Sequence, residues 1–360
     1  MTDHVHIKVR NGTGFITLDR PKALNALSLE MIRAITGALL AWRDDEDVAA
    51  VVIRSSSDRA LCAGGDVRFF HAAGSATPQR GSALIEDFFT EEYALNYLVH
   101  CFPKPYVALM DGVVMGGGMG IAQGGPQCGV RVATDRTRLA MPEVNIGLFP
   151  DVGGSYFLAR APGKLGVYLA LTALMIGPAD ALYCGLADHY VPAPELPLLA
   201  DLVGSTAGAG LREAVAMFAR PLRGEAGASE LQAHRALIDD HFAHRSVTDI
   251  VASLRRDDHP FAQNALAAMA RRSPLMMRVT AEMIRRGATM GIADCLRMER
   301  NLVRRTFEHG EVIEGVRALA IDKDNAPRWN PPSLDEVSDE MVDRFFEPAW
   351  PAWAHPLRHL

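Results

Sequence analysis

The sequence predicts an α/β fold followed by a helical C-terminal region. Three observations carry this. Short apolar, strand-like runs alternate with helical patterns through the first half. Strand signals stop after about Pro192. Beyond Asp322, Pro327, Pro331 and Pro332 break the helical pattern into an extended tail. At 360 residues the chain is long for one domain and short for three. Two domains are expected, a core over 1–195 and a helical region over 196–360.

Val5-Ile7-Val9 and Phe15 to Leu18 flank the turn Asn11-Gly12-Thr13-Gly14 and read as a hairpin. Ser28 caps a helix carrying Met31, Ile32, Ile35, Leu39 and Trp42 at helical spacing. Ala49 to Ile53 is a buried strand, and Cys62-Ala63-Gly64-Gly65-Asp66 a turn of small residues. A helix over about Leu84 to Val99 precedes a second buried strand, Tyr106 to Met110, read as feeding directly into Gly116-Gly117-Gly118. His189 and Tyr190 read as a turn at the core's edge. Ser273-Pro274 opens a helix that ends near Gly287. Leu296, Leu302, Val303 and Phe307 stripe the next helix among many arginines. A short Ala/Gly-rich stretch occupies 204–210.

Nearly half of the residues are hydrophobic, enough to bury a core at this size. The net charge of −6 mixes both signs without a basic block, which argues against nucleic acid as partner. Cys62, Cys101, Cys128, Cys184 and Cys295 are scattered, odd in number and never in C-x-x-C spacing. Neither a disulfide framework nor a zinc site is expected. No apolar run reaches membrane-spanning length, and Met1 to Arg10 lacks a signal-peptide core. A soluble, cytoplasmic protein is expected. The sequence contains no P-loop, G-x-S-x-G elbow or H-E-x-x-H helix, which removes P-loop NTPase, serine-hydrolase and zincin readings.

The chemistry concentrates between Lys104 and Gly154. A glycine turn usually only closes a loop. Here two of them follow buried strands, and neighbouring strands would bring both turns to one edge of a sheet. Two N–H donors converging there form an oxyanion hole. Glu143 lies among Leu139, Ala140, Met141, Pro142, Val144 and Ile146. It could pair with an arginine, cap a helix, or act as a base whose pKa burial raises. Asp151, in Phe149-Pro150-Asp151-Val152-Gly153-Gly154, could cap a helix or act on whatever the N–H groups polarise. Glu92, beside Tyr93 in the helix, reads as solvated surface.

Arg20 to Leu27, the Ala63-Gly64-Gly65-Asp66 turn, the triple glycine and Met141-Pro142-Glu143 together resemble the crotonase (enoyl-CoA hydratase/isomerase) superfamily. Glu91-Glu92-Tyr93, Lys104 to Leu109, Gly147 to Gly154, Glu314 to Ala318 and Asp322-Lys323-Asp324 resemble its 3-hydroxyisobutyryl-CoA hydrolase branch. The likeness covers nearly the whole chain. It implies a crotonase-like spiral of ββα units, then a helical region. It also implies an acyl-CoA substrate, CoA thioester hydrolysis as in valine breakdown, and no metal or other cofactor. Gly65 and Gly117 would hold the thioester oxygen, with Ala63, Asp66 and Gly116 beside them at the substrate. Glu143 would be the catalytic carboxylate, Asp151 would hold the substrate hydroxyl or orient water, Glu92 would face the substrate, and Lys22 the CoA nucleotide. Members of the superfamily commonly form trimers or hexamers, which leaves a homo-oligomer open. Hydratases of the family carry a second glutamate just after the triple glycine, where this chain has Gly120. That points from hydration towards hydrolysis. The alternatives are a hydratase or isomerase of a short-chain enoyl-CoA, and a non-catalytic acyl-CoA-binding protein.

Overall fold

The protein is described by a computed structural model covering residues 2–77, 82–206 and 210–360. Part of the Ala/Gly-rich 204–210 stretch lies outside these residues. Contacts divide the chain into two compact units, each drawn from three stretches. Met1–Gly65, Ala94–Ala140 and Met175–Ala233 form the first; Asp66–Tyr93, Met141–Leu174 and His234–Leu360 form the second. A cut at 195 marks where strands give way to helices along the chain. It does not mark these units, because contacts follow packing rather than chain order.

The strands of the first unit begin with the hairpin β1 (Val5–Arg10) and β2 (Thr13–Leu18), paired antiparallel around Asn11 and Gly12, both at positive φ. Helix α1 (Leu29–Arg43) follows, its N-terminus capped by the Ser28 hydroxyl on the Met31 N–H. Met31, Ile32, Ile35, Leu39 and Trp42 are its buried face. Next come β3 (Ala50–Ser55), β4 (Ala60–Cys62), α2 (Val67–Ala76) and α3 (Ala83–His100). The pattern repeats with β5 (Tyr106–Met110), β6 (Val113–Met115) and α4 (Gly117–Ala122), then β7 (Gly129–Ala133) and β8 (Arg138–Ala140). These are the expected ββα units.

Six strands make one sheet in the order β1-β2-β3-β5-β7-β9, where β9 is His189–Tyr190. All pairs except the hairpin are parallel. The short strands β4, β6 and β8 form a separate parallel sheet. Two expectations are corrected here. The strand at 106–110 does not feed into the glycines, because β6 intervenes and carries them. His189 and Tyr190 are an edge strand rather than a turn, paired to Val132 and Ala133. One face of the large sheet, with Val52, Val107, Leu109, Val130 and Val132, packs on Leu199, Val203, Leu211 and Val215 of the helices Leu196–Ser205 and Leu211–Ala219.

The second unit is helical among its described residues. Its helix Pro274–Gly287 is capped by Ser273, as expected. The stripe of Leu296, Leu302, Val303 and Phe307 is the buried face of Ile292–His309. The C-terminal tail departs from the expected extended form. Asp339–Phe346 is a helix, capped by the Ser338 hydroxyl and burying Val342 and Phe345. The three prolines lie upstream of it, so they cannot remove its N–H donors. No helix among the described residues is long and apolar enough to cross a membrane.

Candidate active site

In the first unit, strand pairing decides where the two glycine turns lie. β4 and β6 run parallel, with Ala60 opposite Val113 and Cys62 opposite Val114, so the segments leaving their C-terminal ends emerge side by side. The approach is close enough to exclude a side chain: a Cβ on Gly118 would sit 2.1 Å from the Cys62 carbonyl oxygen. Gly64, at φ +109°, adopts a conformation that favours glycine, and a Cβ on it would lie 3.9 Å from the Gly117 nitrogen. Gly117 opens α4 and Gly116 is its N-cap, so the Gly117 N–H has no intrahelical acceptor.

Residues 20–27 lie along the first of these turns. Ala63 N–H donates to Leu24 O at 3.0 Å, and Leu27 N–H to Gly64 O at 2.8 Å. Lys22 sits exposed in the 3-10 turn Pro21–Ala23, next to this pairing. Sequence reasoning missed what holds the segment. Leu24 and Asn25 are both left-handed, and the buried Asn25 amide donates to Ala60 O (3.2 Å), Leu61 O (3.1 Å) and Ser55 Oγ (2.8 Å). Arg20 N–H closes the loop on Asn25 Oδ1 at 2.7 Å.

In the second unit, the structure gathers the acids. Glu143 opens the 3-10 turn Glu143–Ile146 and is 5 % exposed. Its Oε2 has no hydrogen-bond partner among the described residues. Burial holds its carboxyl well above the usual range, and the charges of Asp151, Glu92 and Glu299 push the same way. Asp151, 4 % exposed, does not cap a helix. Its Oδ2 accepts the Tyr93 hydroxyl at 2.6 Å. Burial raises Asp151 to about 6 against the lowering effect of that hydrogen bond.

Glu92 is not solvated surface. It is 2 % exposed, its Oε1 is unpartnered among the described residues, and burial followed by the Asp151 charge raises its pKa well above the ordinary value. Asp66 is the N-cap of α2, accepting the Phe69 N–H at 3.3 Å.

Three contributors were not singled out from sequence: Tyr93, Glu299 and Arg300. Glu299 is fully buried and accepts the N–H groups of Gly153 (2.7 Å) and Ser155 (2.9 Å) and the Ser155 hydroxyl (2.5 Å). Arg300, also fully buried, pairs with Glu86 and donates to Thr90 Oγ1 at 3.0 Å, both on α3. A signal did exist for the acids. Glu92 lies four residues after Phe88, and Glu299 three after Leu296 and four before Val303, so both fall on apolar helix faces. No group of three or more His, Cys, Asp or Glu among the described residues could hold a metal ion.

The first unit thus carries a pair of backbone turns, and the second a set of buried, mutually repelling carboxylates. Comparison with known proteins agrees with the family pattern. The enoyl-CoA hydratase/isomerase family model matches residues 13–346. A 3-hydroxyisobutyryl-CoA hydrolase, mitochondrial, of Gallus gallus is 41 % identical over 96 % of this chain and 89 % of its own. The Homo sapiens protein of that name is 37 % identical over 96 % and 89 %. Among solved structures, a carnitinyl-CoA dehydratase from Mycobacterium thermoresistibile shares 39 % identity with a TM-score of 0.89, covering 97 % of this chain and 98 % of its own. An enoyl-CoA hydratase from Rhodobacter sphaeroides 2.4.1 shares 36 % at 0.84, covering 96 % and 98 %. The mitochondrial names of the hydrolase relatives overturn the cytoplasmic expectation, which rested on cysteine usage and the missing signal-peptide core. Scattered, unpaired cysteines suit any reducing compartment and do not distinguish the cytoplasm from an organelle. The chain belongs to the enoyl-CoA hydratase/isomerase family, with 3-hydroxyisobutyryl-CoA hydrolases among its near full-length relatives.

Proposed function

We propose that the protein hydrolyses a short 3-hydroxyacyl-CoA thioester of the 3-hydroxyisobutyryl type, releasing the free acid and CoA. The observation that carries this reading is the carboxylate set: Glu143 and Asp151 are both buried and repel each other, while the second position after the triple glycine is Gly120, buried in α4 without a side chain to act. In the reaction, water's oxygen bonds the acyl carbon, the C–S bond breaks, and a proton reaches the departing thiolate. Gly65 and Gly117 N–H groups stabilise the charge that develops on the thioester oxygen. Glu143 serves either as nucleophile, through a mixed anhydride, or as general base on water. Its raised pKa suits it to accept a proton. Asp151 holds the substrate hydroxyl or orients water, Glu92 faces the acyl group, and Lys22 faces the CoA phosphates. Ala63, Asp66 and Gly116 shape the turns around the substrate. No cofactor besides the substrate's own CoA enters these steps.

A second reading has a specific observation behind it. The two structural relatives above are named as a dehydratase and a hydratase, at identities close to those of the hydrolases. One pair of assays separates the two. Free thiol release from (S)-3-hydroxyisobutyryl-CoA is followed with a colorimetric reagent, and crotonyl-CoA absorbance is followed in parallel. Rapid thiol release with stable crotonyl-CoA is expected. Loss of enoyl absorbance without thiol release would replace hydrolysis by hydration.

A further inference from the structure

Asp151 stands in a turn that the local sequence does not favour. Val152 has φ +55° and Gly153 φ +92°, two consecutive left-handed residues. The first is β-branched, for which this conformation is a genuine outlier. Strain of this kind persists only where the surroundings over-determine it. Here backbone bonds such as Gly154 N–H to Asp151 O at 2.7 Å are joined by one buried side chain. Glu299 accepts the Gly153 N–H through Oε2, and the Ser155 N–H and hydroxyl through Oε1. The turn is an anion-binding concavity of backbone donors, filled by the protein's own carboxylate. The next residue on that helix, Arg300, reaches α3 at Glu86 and Thr90, about two turns and one turn before Tyr93, which donates to Asp151. Consecutive residues of one helix therefore anchor both elements that aim the Asp151 carboxylate.

The geometry points to Glu299 as a positioning residue for the reaction: it locks the Asp151–Ser155 turn in its left-handed form and so fixes where the Asp151 carboxylate lies. The inference rests on the catalytic or substrate-orienting role proposed above for Asp151. Burial raises Glu299 to about 8 although all three donors act to lower it, so this carboxylate is retained at an unfavourable place. A glutamine would be nearly isosteric, but its amide NH₂ would face an N–H or hydroxyl donor and lose the fit.

The test compares the full-length protein with Glu299→Gln, Asp151→Asn and the double variant, by thiol release and thermal unfolding. Misplacement of a reacting group by about 1 Å can cost roughly 10²-fold. Glu299→Gln is therefore expected to retain cooperative unfolding and to lower kcat about 10- to 100-fold, with KM changed less than about threefold. In the Asp151→Asn background the same change should cost less than about threefold, because the residue it acts through is gone. An equal loss in both backgrounds, or wild-type kcat in Glu299→Gln, would overturn the inference and leave the role of Asp151 standing. Wild-type activity in Asp151→Asn alone would remove that role and the inference with it. Should Glu299→Gln fail to fold, Ser155→Ala takes its place, since it removes one of three contacts. A kcat reduced about three- to tenfold, again absent beside Asp151→Asn, supports the inference; an unchanged kcat overturns it.

Discussion

The glycine turns and the buried acids solve opposite problems. At the turns everything useful is backbone. β4 and β6 place two N–H-bearing segments side by side, and the requirement on the side chains is that there be none. At the acids everything useful is side chain, and the backbone's part is to hold charges where water would not. A backbone donor keeps its hydrogen-bonding capacity in any surroundings. A carboxylate changes its chemistry with burial, as the elevated pKa values of Glu92, Glu143 and Glu299 show. The first region should therefore be sensitive to volume and the second to charge.

Glu143→Gln tests the second half most severely, since it keeps volume and removes the charge. Thiol release should fall about 10²- to 10⁴-fold while acyl-CoA binding, read by calorimetry, stays near wild type. Retained turnover would take Glu143 out of the mechanism. Gly118→Ala is the matching test of the turns, adding one methyl and no charge. With its Cβ facing the Cys62 carbonyl at 2.1 Å, the turns must separate. A loss of about 1–3 kcal/mol in denaturant stability is expected, with thiol release falling in parallel. Wild-type stability would show that the turns are not as tightly set as the comparison requires.

Tyr93→Phe sharpens the charge argument without touching a carboxylate. The tyrosine hydroxyl lowers the Asp151 pKa, so its removal raises that pKa above about 6. If ionised Asp151 is the active form, activity is lost as pH falls through about 6 in the wild type and at higher pH in the variant. Stability runs the other way. A carboxyl raised from 3.8 to about 6 on folding contributes stability below 3.8 that is lost as pH rises to about 6. The pH–rate profile and the melting temperature across pH 4–8 should thus move in opposite directions. Lys22→Gln is the mildest change, at an exposed cation on the segment lining the first turn. An exposed ion pair is worth about 0.2–1 kcal/mol, so KM should rise roughly two- to fivefold at low salt and less at high salt.

Much of the fold was legible because its signals are local. Asn11-Gly12 gave the hairpin, and Ser28 and Ser273-Pro274 gave two helix starts to the residue. The family pattern at 20–27, 63–66, 116–118 and 141–143 named the two turns and Glu143 together, which composition and spacing alone left open. Local rules also misled. Three prolines suggested that the tail stays extended, yet Ser338 starts a helix beyond them whose Val342 and Phe345 find a place to bury. Spacing alone read Glu92 as surface, because a glutamate in a helix usually is, while the family likeness put it at the substrate.

By itself, then, the sequence determined the alternation of strands and helices, the caps and turns, and the kinship of the chain. Each depends on residues within a few positions of one another, or on a pattern of identities along the chain. Only the tertiary structure decided that Glu92 and Glu299 are buried, that the Tyr93 hydroxyl meets Asp151 58 residues away, and that Glu299 holds a turn 144 to 146 residues before it. The reason is physical: a carboxylate's pKa and its partners are set by whatever covers it, and what covers it comes from distant parts of the chain.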